Sequence, residues 1–377
     1  MTDFNAADHR HMARALELAA KGLYTTDPNP RVGCVIVRDG DGDGDGVVGE
    51  GWHVRAGELH AEALALAAAG EAARGSTAYV TLEPCAHQGR TPPCADALVA
   101  AGVRRVVYAM GDPNPQVDGQ GAARLASGGV EVAAGCLAAA AEALNPGFLS
   151  RHRRGRPWVR VKVAASLDGR TALANGGSQW LTGAPARADV QRLRARSSAI
   201  LTGASTVQRD NARLTVRDPD VDLGGRIPLR VVVDPTLTLK PGALIFSEPG
   251  PVLVCTSSTD AAAAAALGVC GAQLLQLPAP DGARDLAAIL VELARREVNE
   301  LLVEGGPRLA GSFLTAGLVD EFILYVAPHM LGHDAAPLAM LPLLDDLGDR
   351  WEFRFTDVRQ VGDDLRLTMV PIPREVR

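Results

Sequence analysis

HAEALALAAAGEAARGSTAYVTLEPCAHQGRTPPCADALVAA, residues 60–101, reads as helix, strand and helix, with metal-ligating side chains at the junctions. His60 to Ala69 is an Ala/Leu-rich helix, Thr77 to Leu82 a strand, and Pro93 to Ala101 a second helix. His60 precedes the first helix, Cys85 follows the strand and Cys94 opens the second helix. One imidazole and two thiolates are soft-to-borderline ligands that suit zinc. Three protein ligands leave the fourth tetrahedral position for water, as in a catalytic site. Water so held ionises near neutral pH and becomes a nucleophile. Glu62, two residues beyond His60, is placed to reach that water without ligating and to carry its proton to a leaving amine. Any one of these residues alone reads as readily as core; the joint pattern points to the metal.

Strand and helix patterns continue on either side. A helix over 5–22 aligns Met12, Ala15, Leu16 and Ala19, and VGCVIV at 32–37 is a buried strand. The Asp-Gly repeat at 39–46 lacks the distal Glu of a calcium loop and is expected to form a hairpin loop, with a strand resuming at Val47. RRVVYA at 104–109, Val130–Ala133 and Leu137–Leu144 complete an α/β layer pattern. The basic stretch RHRRGRP, 151–157, is read as a solvated linker, so domains are expected at 1–150 and 151–377. Beyond it come WVRVKVAASLDGR, a helix at 185–196, strands near 198–202, 229–234 and 252–255, and a helix at 284–297. ELLVEGGPRLAGSFLTAG reads as strand, Gly turn and helix, before β-rich DEFILYVAP, WEFRFTDVRQ and LRLTMVPI. The alanines at 261–266 are expected on a surface helix.

The length of 377 residues supports two domains, and 47% hydrophobic with 22% charged residues is the balance of a chain that buries a core. A net charge of −6 leaves no basic footprint for nucleic acid, and no apolar window is long enough for a membrane. The first residues lack the pattern of a signal peptide, so a cytoplasmic protein is expected. Six cysteines are too sparse for a disulfide scaffold. Cys34, Cys136, Cys255 and Cys270 match no ligand spacing and are read as structural.

His-x-Glu followed by Pro-Cys and a second Cys resembles the zinc nucleobase deaminases, whose usual Pro-Cys-x-x-Cys is here opened by AHQGRTPP between Cys85 and Cys94. With TTDPNPRVGCVIV (25–37), GWHVRAGELHAE (51–62), TLEPCAHQGRTPPC (81–94) and GDPNPQVDGQG (111–121), the chain resembles the bifunctional riboflavin-biosynthesis deaminase-reductases. The resemblance implies an N-terminal cytidine-deaminase-like three-layer α/β/α domain acting on a diaminopyrimidinone that carries a ribosylamino 5′-phosphate. It also implies that Asn29 and His53 contact the pyrimidine, and that His87 and Arg90 line the pocket and its phosphate side. The competing readings are a turn fixed by Asn29 between Pro28 and Pro30, and a solvated Arg90.

In the second half, the strand–Gly-Gly–helix turn at 303–312 presents backbone N–H groups suited to a phosphate, although such turns also serve packing. It is no Rossmann fingerprint. KVAASLDGRTA (162–172), SQWLTG (178–183), LTGASTVQRDNARLTVR (201–217) and VEGGPRLAGS resemble the family's reductase domain, which implies a dihydrofolate-reductase-like α/β fold and NADPH. Carried over, Ala164, Trp180, Thr206, Asp210 and Gly306, Pro307, Arg308, Leu309, Ala310, Gly311 and Ser312 hold the cofactor. Ser178, Arg194, Leu214, Arg217 and Glu304 hold the substrate, with Arg194 and Arg217 on its phosphate. Lys162, on a buried strand, and Asp168 are candidates for a catalytic role, and Lys162 or Asp210 for proton transfer. The structural alternatives are Trp180 in the core, Arg194 on a solvated face with Arg187, Arg192 and Arg196, and Asp210 as a loop cap. A homo-oligomer is a further implication. Two rivals stay open: a cytidine or tRNA-adenosine deaminase with an unrelated C-terminal domain, and a zinc-stabilised binding module without activity.

Overall fold

The computed structural model describes residues 3–38, 46–86, 92–114, 118–277 and 285–372, and divides into two units, Met1–Gly155 and Arg156–Arg377. The first unit is built on a five-stranded sheet of β1 (Gly33–Val37), β2 (Val47–Trp52), β3 (Thr77–Leu82), β4 (Arg105–Met110) and β5 (Glu131–Ala134), in the order β2-β1-β3-β4-β5. β1 is antiparallel to β2 and β3, and β3, β4 and β5 run parallel. The helices are α1 (Ala6–Ala20), α2 (Ala61–Ala69), α3 (Cys94–Ala100), α4 (Gln120–Ser127), α5 (Ala138–Leu144) and α6 (Pro146–Arg154).

Glycines let these layers close. A Cβ on Gly33 would lie 2.0 Å from the Ala15 carbonyl oxygen of α1, and one on Gly51 would lie 2.4 Å from that of Ala61 in α2. Gly33 pairs with Trp52 and Gly51 with Cys34, so the two glycines point to opposite faces and place α1 and α2 on opposite sides of the sheet. α1 contacts α5, and α2 contacts α3, which contacts α4, giving three layers. α1 starts on a capping box in which Asn5 and Asp8 exchange side-chain to backbone bonds.

The second unit carries β6 (Trp158–Ser166), β7 (Arg170–Ala172), β8 (Ala199–Gly203), β9 (Leu229–Val233), β10 (Val252–Thr256), β11 (Ala272–Gln276), β12 (Glu300–Glu304), β13 (Glu321–Ala327), β14 (Ala336–Pro337), β15 (Phe353–Val361) and β16 (Asp364–Pro371). Its helices are α7 (Ala184–Arg196), α8 (Ala204–Asp210), α9 (Leu244–Ser247), α10 (Ala261–Val269), α11 (Leu286–Arg295) and α12 (Pro307–Thr315). A nine-stranded sheet runs β11-β10-β9-β8-β12-β6-β13-β16-β15, parallel from β11 through β13 and closed by the antiparallel β15–β16 hairpin; β7 and β14 form a separate pair. Central strands buried on both faces read as apolar runs, as Leu301-Leu302-Val303 does in β12 between Glu300 and Glu304.

Most of the expected elements form within a residue or two of their expected ends, but the solvated linker does not. Residues 151–154 are the last turn of α6, which Gly155 ends in a left-handed conformation with φ 65. Pro146 starts that helix, Phe148 and Leu149 bury its apolar side, and the basic residues sit at its C-terminal end, where they suit the dipole. The alanine run forms α10, capped by Asp260. The Asp-Gly residues 39–45 lie outside the described residues, while Val37 and Val47 on either side pair antiparallel. Cys34, Cys136 and Cys255 are buried and Cys270 is half-buried, all as free thiols.

Gly51→Ala is expected to lower the stability of the first unit by about 1–3 kcal/mol, because the Ala61 carbonyl must be pushed away. Denaturant unfolding of the full chain checks this, with the second unit's transition unchanged.

Candidate active sites

In the first unit, His60 is the N-cap of α2 in extended conformation, Cys85 follows β3 through Glu83-Pro84, and Cys94 is the first residue of α3. Three segments distant in sequence thus bring their donors to one point. His60 Nδ1 lies 3.7 Å from Cys85 Sγ and 3.3 Å from Cys94 Sγ, and all three donor atoms fall within 4.8 Å of one another. Zinc bond lengths and tetrahedral angles call for a separation of about 3.5 Å between sulfur and nitrogen ligands, so the donor set fits zinc. Cys94 and His60 hold the Cys85 thiol well below its ordinary range, and Cys85 in turn raises His60.

Glu62, on the first turn of α2, is 4% exposed, and its carboxyl reaches the Cys94 thiol. Burial pushes its pKa up, with His60 opposing and Cys85 adding to the rise. Such a carboxyl takes up and gives back a proton more readily near neutral pH than an exposed one.

His53 packs edge-on against His60 with ring centroids 5.6 Å apart. Its Nδ1 faces the Leu59 carbonyl at 3.1 Å and its Nε2 faces the Asn29 amide nitrogen at 3.1 Å. Those partners fix one neutral tautomer, and burial lowers the His53 pKa further. Asn29 is therefore bound to His53 beside the metal-ligand cluster, rather than serving only its own turn. His87 and Arg90 lie outside the described residues.

The second unit holds a cavity of about 1500 Å³ at the C-terminal ends of its parallel strands. Of the expected residues, Lys162, Ala164, Ser178, Trp180, Arg194, Thr206, Asp210, Leu214, Arg217, Glu304, Gly306, Pro307, Arg308, Leu309 and Ser312 line it. Ala310 and Gly311 do not. Ala310 is 2% exposed in the core, and Gly311 abuts the Met340 backbone so closely that a Cβ would lie 1.9 Å from its oxygen.

Lys162 and Glu304 are direct partners in the β6–β12 register, with Lys162 Nζ 3.2 Å from Glu304 Oε2. Arg194 grips the same carboxylate through two bonds of 2.6 and 3.0 Å and donates a third to the Thr215 carbonyl. Burial alone would raise the Glu304 carboxyl, but Arg194 and Lys162 outweigh it and hold the pKa at about 2. Arg194 is thus committed largely to Glu304, not on a solvated face. Arg217 donates to Thr215 Oγ1 at 3.0 Å and has no carboxylate partner among the described residues, so it is the freer cation for a phosphate.

Trp180 is 69% exposed beside the cavity, with the Arg187 guanidinium 4.8 Å from its ring centre, which excludes the core reading. Asp210 receives the Ser178 hydroxyl at 3.5 Å, and burial raises its pKa. Asp168 is not among the residues that line the cavity and clamps a loop: it accepts from Ser166 Oγ at 2.5 Å and from the N–H groups of Leu331 and Gly332.

Two lining or supporting groups carry no mark in the sequence. Tyr325, on β13, lines the cavity and donates its hydroxyl to Asp189 at 2.5 Å, where Arg366 also binds. Glu83 is buried beside Cys85, and among the described residues its carboxylate bonds only to backbone N–H groups.

Two families match the chain: the cytidine and deoxycytidylate deaminase zinc-binding region over residues 5–110, and the RibD C-terminal domain over residues 157–367. The riboflavin biosynthesis protein RibD of Escherichia coli K12 is 49% identical, over 96% of this chain and 99% of that protein. The chain belongs to the RibD family. RibD of Haemophilus influenzae is 45% identical over 98% of this chain and 99% of its own. A solved RibD of Acinetobacter baumannii, 43% identical, superposes with a TM-score of 0.90 over 97% of this chain and 99% of that one. A Thermotoga maritima structure described as a diaminohydroxyphosphoribosylaminopyrimidine deaminase/5-amino-6-(5-phosphoribosylamino)uracil reductase is 32% identical, with a TM-score of 0.82 over 97% of this chain and 99% of that chain. As a RibD-family member the chain is a bifunctional enzyme of riboflavin biosynthesis, with a zinc-binding deaminase domain followed by a reductase domain. The rival readings, an unrelated C-terminal appendage and an inactive zinc module, fall away. Among the described residues no helix is long and apolar enough to cross a membrane.

Glu304 makes acid sensitivity a property of the second unit. Its carboxyl sits at about 2 against an ordinary 4.5, so its contribution is complete above pH 4.5 and is lost as pH falls toward 2. Arg194→Met is expected to cost about 3–5 kcal/mol at neutral pH by leaving that buried carboxylate half-paired, and to flatten the acid-side decline. Urea unfolding across this pH range measures both.

Proposed function

We propose that the Met1–Gly155 unit deaminates 2,5-diamino-6-ribosylamino-4(3H)-pyrimidinone 5′-phosphate, and that the Arg156–Arg377 unit reduces the ribosyl chain of the product with NADPH, giving 5-amino-6-ribitylaminouracil 5′-phosphate. The convergence of His60, Cys85 and Cys94 beside a buried Glu62 carries the first half of this reading. When bound there, zinc lowers the pKa of a coordinated water to near 7 and so supplies the nucleophile.

This chain's residues do the rest. Asn29, fixed by His53, orients the pyrimidine so that its amino-bearing C2 faces the cluster. Glu62 holds the proton released from water on a carboxylate oxygen and delivers it to the departing amino nitrogen. Water enters and ammonia leaves, so the step balances without another reactant.

In the second unit, a cavity of about 1500 Å³ exceeds what one drug-sized ligand fills, which supports a dinucleotide and a sugar phosphate together. Gly306, where a Cβ would meet nothing within 4 Å, and the α12 N-terminus leave room and N–H groups for a cofactor phosphate. NADPH, when bound, would supply the hydride for C1′ of the ring-opened iminium, whose nitrogen keeps its hydrogen and becomes the amine. Lys162 Nζ gives a proton to the sugar oxygen released on ring opening, and Glu304 stays anionic and holds that ammonium in place. Arg217 takes the 5′-phosphate, and Trp180, Thr206 and Asp210 flank the cofactor.

We place the enzyme in the cytoplasm as a homo-oligomer. Phe355 and Val358, both more than half exposed on the edge strand β15, support association with a second copy.

Glu62→Gln is expected to retain one zinc per chain and to lose ammonia release by about 10²–10⁴-fold. Full deaminase turnover in that variant would remove Glu62 from the mechanism. Lys162→Met is expected to lower NADPH oxidation by at least about 10²-fold with ammonia release intact; unchanged oxidation would exclude Lys162 as the proton donor.

A further inference from the structure

We infer that Glu83 is a positioning residue of the zinc site, holding Cys85 against Cys94 through α4, an inference that rests on the zinc reading of that cluster. Glu83 is 3% exposed and belongs to neither the donor set nor the proton path. A carboxylate so buried must be satisfied by hydrogen bonds, and among the described residues those bonds come from Asp112, Gly119 and Ala122. Oε2 accepts from Gly119 N at 3.1 Å and Asp112 N at 3.4 Å, and Oε1 accepts from Ala122 N at 3.1 Å.

These bonds supply what α4 lacks. Its N-cap is Gly119, left-handed at φ 73, which has no side chain to cap the first turn. Glu83 takes that role from 36 residues away, with its charge at the positive end of the helix. The contact is close: a Cβ on Gly121 would lie 1.8 Å from the Pro84 carbonyl oxygen, so α4 rests directly on the peptide that precedes Cys85.

The same helix reaches the other thiol. Arg124 of α4 pairs with Asp96 of α3 at 2.5 and 3.0 Å, and α3 begins at Cys94. Between the two thiols, Ala95 N donates to the Cys85 carbonyl at 3.1 Å and Cys94 N approaches Cys85 Sγ at 3.4 Å. α4 therefore braces both cysteine segments. The Arg124–Asp96 pair is exposed and holds weakly, whereas the Glu83 clamp is buried and sets the geometry.

Glu83→Gln keeps the size of the side chain but turns an amide donor toward backbone donors. In the full chain, zinc competition against a chromophoric chelator, well below the unfolding temperature, is expected to show affinity weakened about ten- to a hundredfold. Ammonia release should fall with zinc occupancy, and NADPH oxidation by the second unit should not change. Leu125→Ala, buried on the same helix and not a hydrogen-bond partner of Glu83, is the comparison for general destabilisation. Zinc affinity within about twofold of wild type in Glu83→Gln overturns the inference, as does an equal loss in Leu125→Ala at matched melting temperature. If Glu83→Gln does not accumulate, Gly121→Ala pushes α4 off Pro84 and is expected to weaken zinc in the same way; tight zinc there overturns the inference. A wild-type chain that takes up no zinc removes the zinc reading itself.

Discussion

Tetrahedral coordination tolerates errors of a few tenths of an ångström, and here the protein must meet that tolerance with donors from three separate segments. His60 begins a helix, Cys85 ends a strand turn and Cys94 begins another helix, so no single element can fix their spacing. The first unit answers with rigidity. Glycine-to-backbone contacts seat α1 and α2 against the sheet, and α3 is tied to the Cys85 peptide. In this unit, the site and the packing are one constraint met at different distances from the metal.

The second unit places charges where the first places thiols. Glu304 lies at the end of a central strand, at the cavity wall, and is held by Lys162 and Arg194. At the opposite end of the same strand, Glu300 binds Arg160 of β6, which also pairs with Glu321, and Arg196 of α7. Each of these buried charges is balanced by opposite charge from a neighbouring element. Removing one partner costs far more than the pair contributes. These pairs thus specify how β6, β12, β13 and α7 fit together more than they add to stability.

The zinc cluster was legible in the sequence because its evidence is local: a donor type, a turn and a helix start, repeated within residues 60–94. Lys162 was legible for a related reason, since a lysine inside an apolar strand demands a partner. The ion pair of Arg194 with Glu304 was not, because four arginines on one helix look like a solvated face and the residue that changes the reading is 110 positions away. RHRRGRP looked like linker because its composition outweighed the apolar pair Phe148 and Leu149 just before it. Glu83 was hidden for a different reason: its partners are backbone N–H groups, which leave no trace in residue identity. The Gly306–Ser312 run was right about the turn, but a helix shows only part of its surface to a cavity, and Ala310 and Gly311 fall on the other side.

The pairing of Lys162 with Glu304 across β6 and β12 has an effect on assembly. Side chains alternate along a strand, so sliding β12 by one residue would turn Glu304 to the far face of the sheet and leave Lys162 opposite Val303, with no acceptor. A sheet that closed in the wrong register would leave the Lys162 ammonium without its carboxylate and would turn Glu304 away from the cavity. The ion pair acts as a proofreader of strand alignment, because only the native register brings the two charges together.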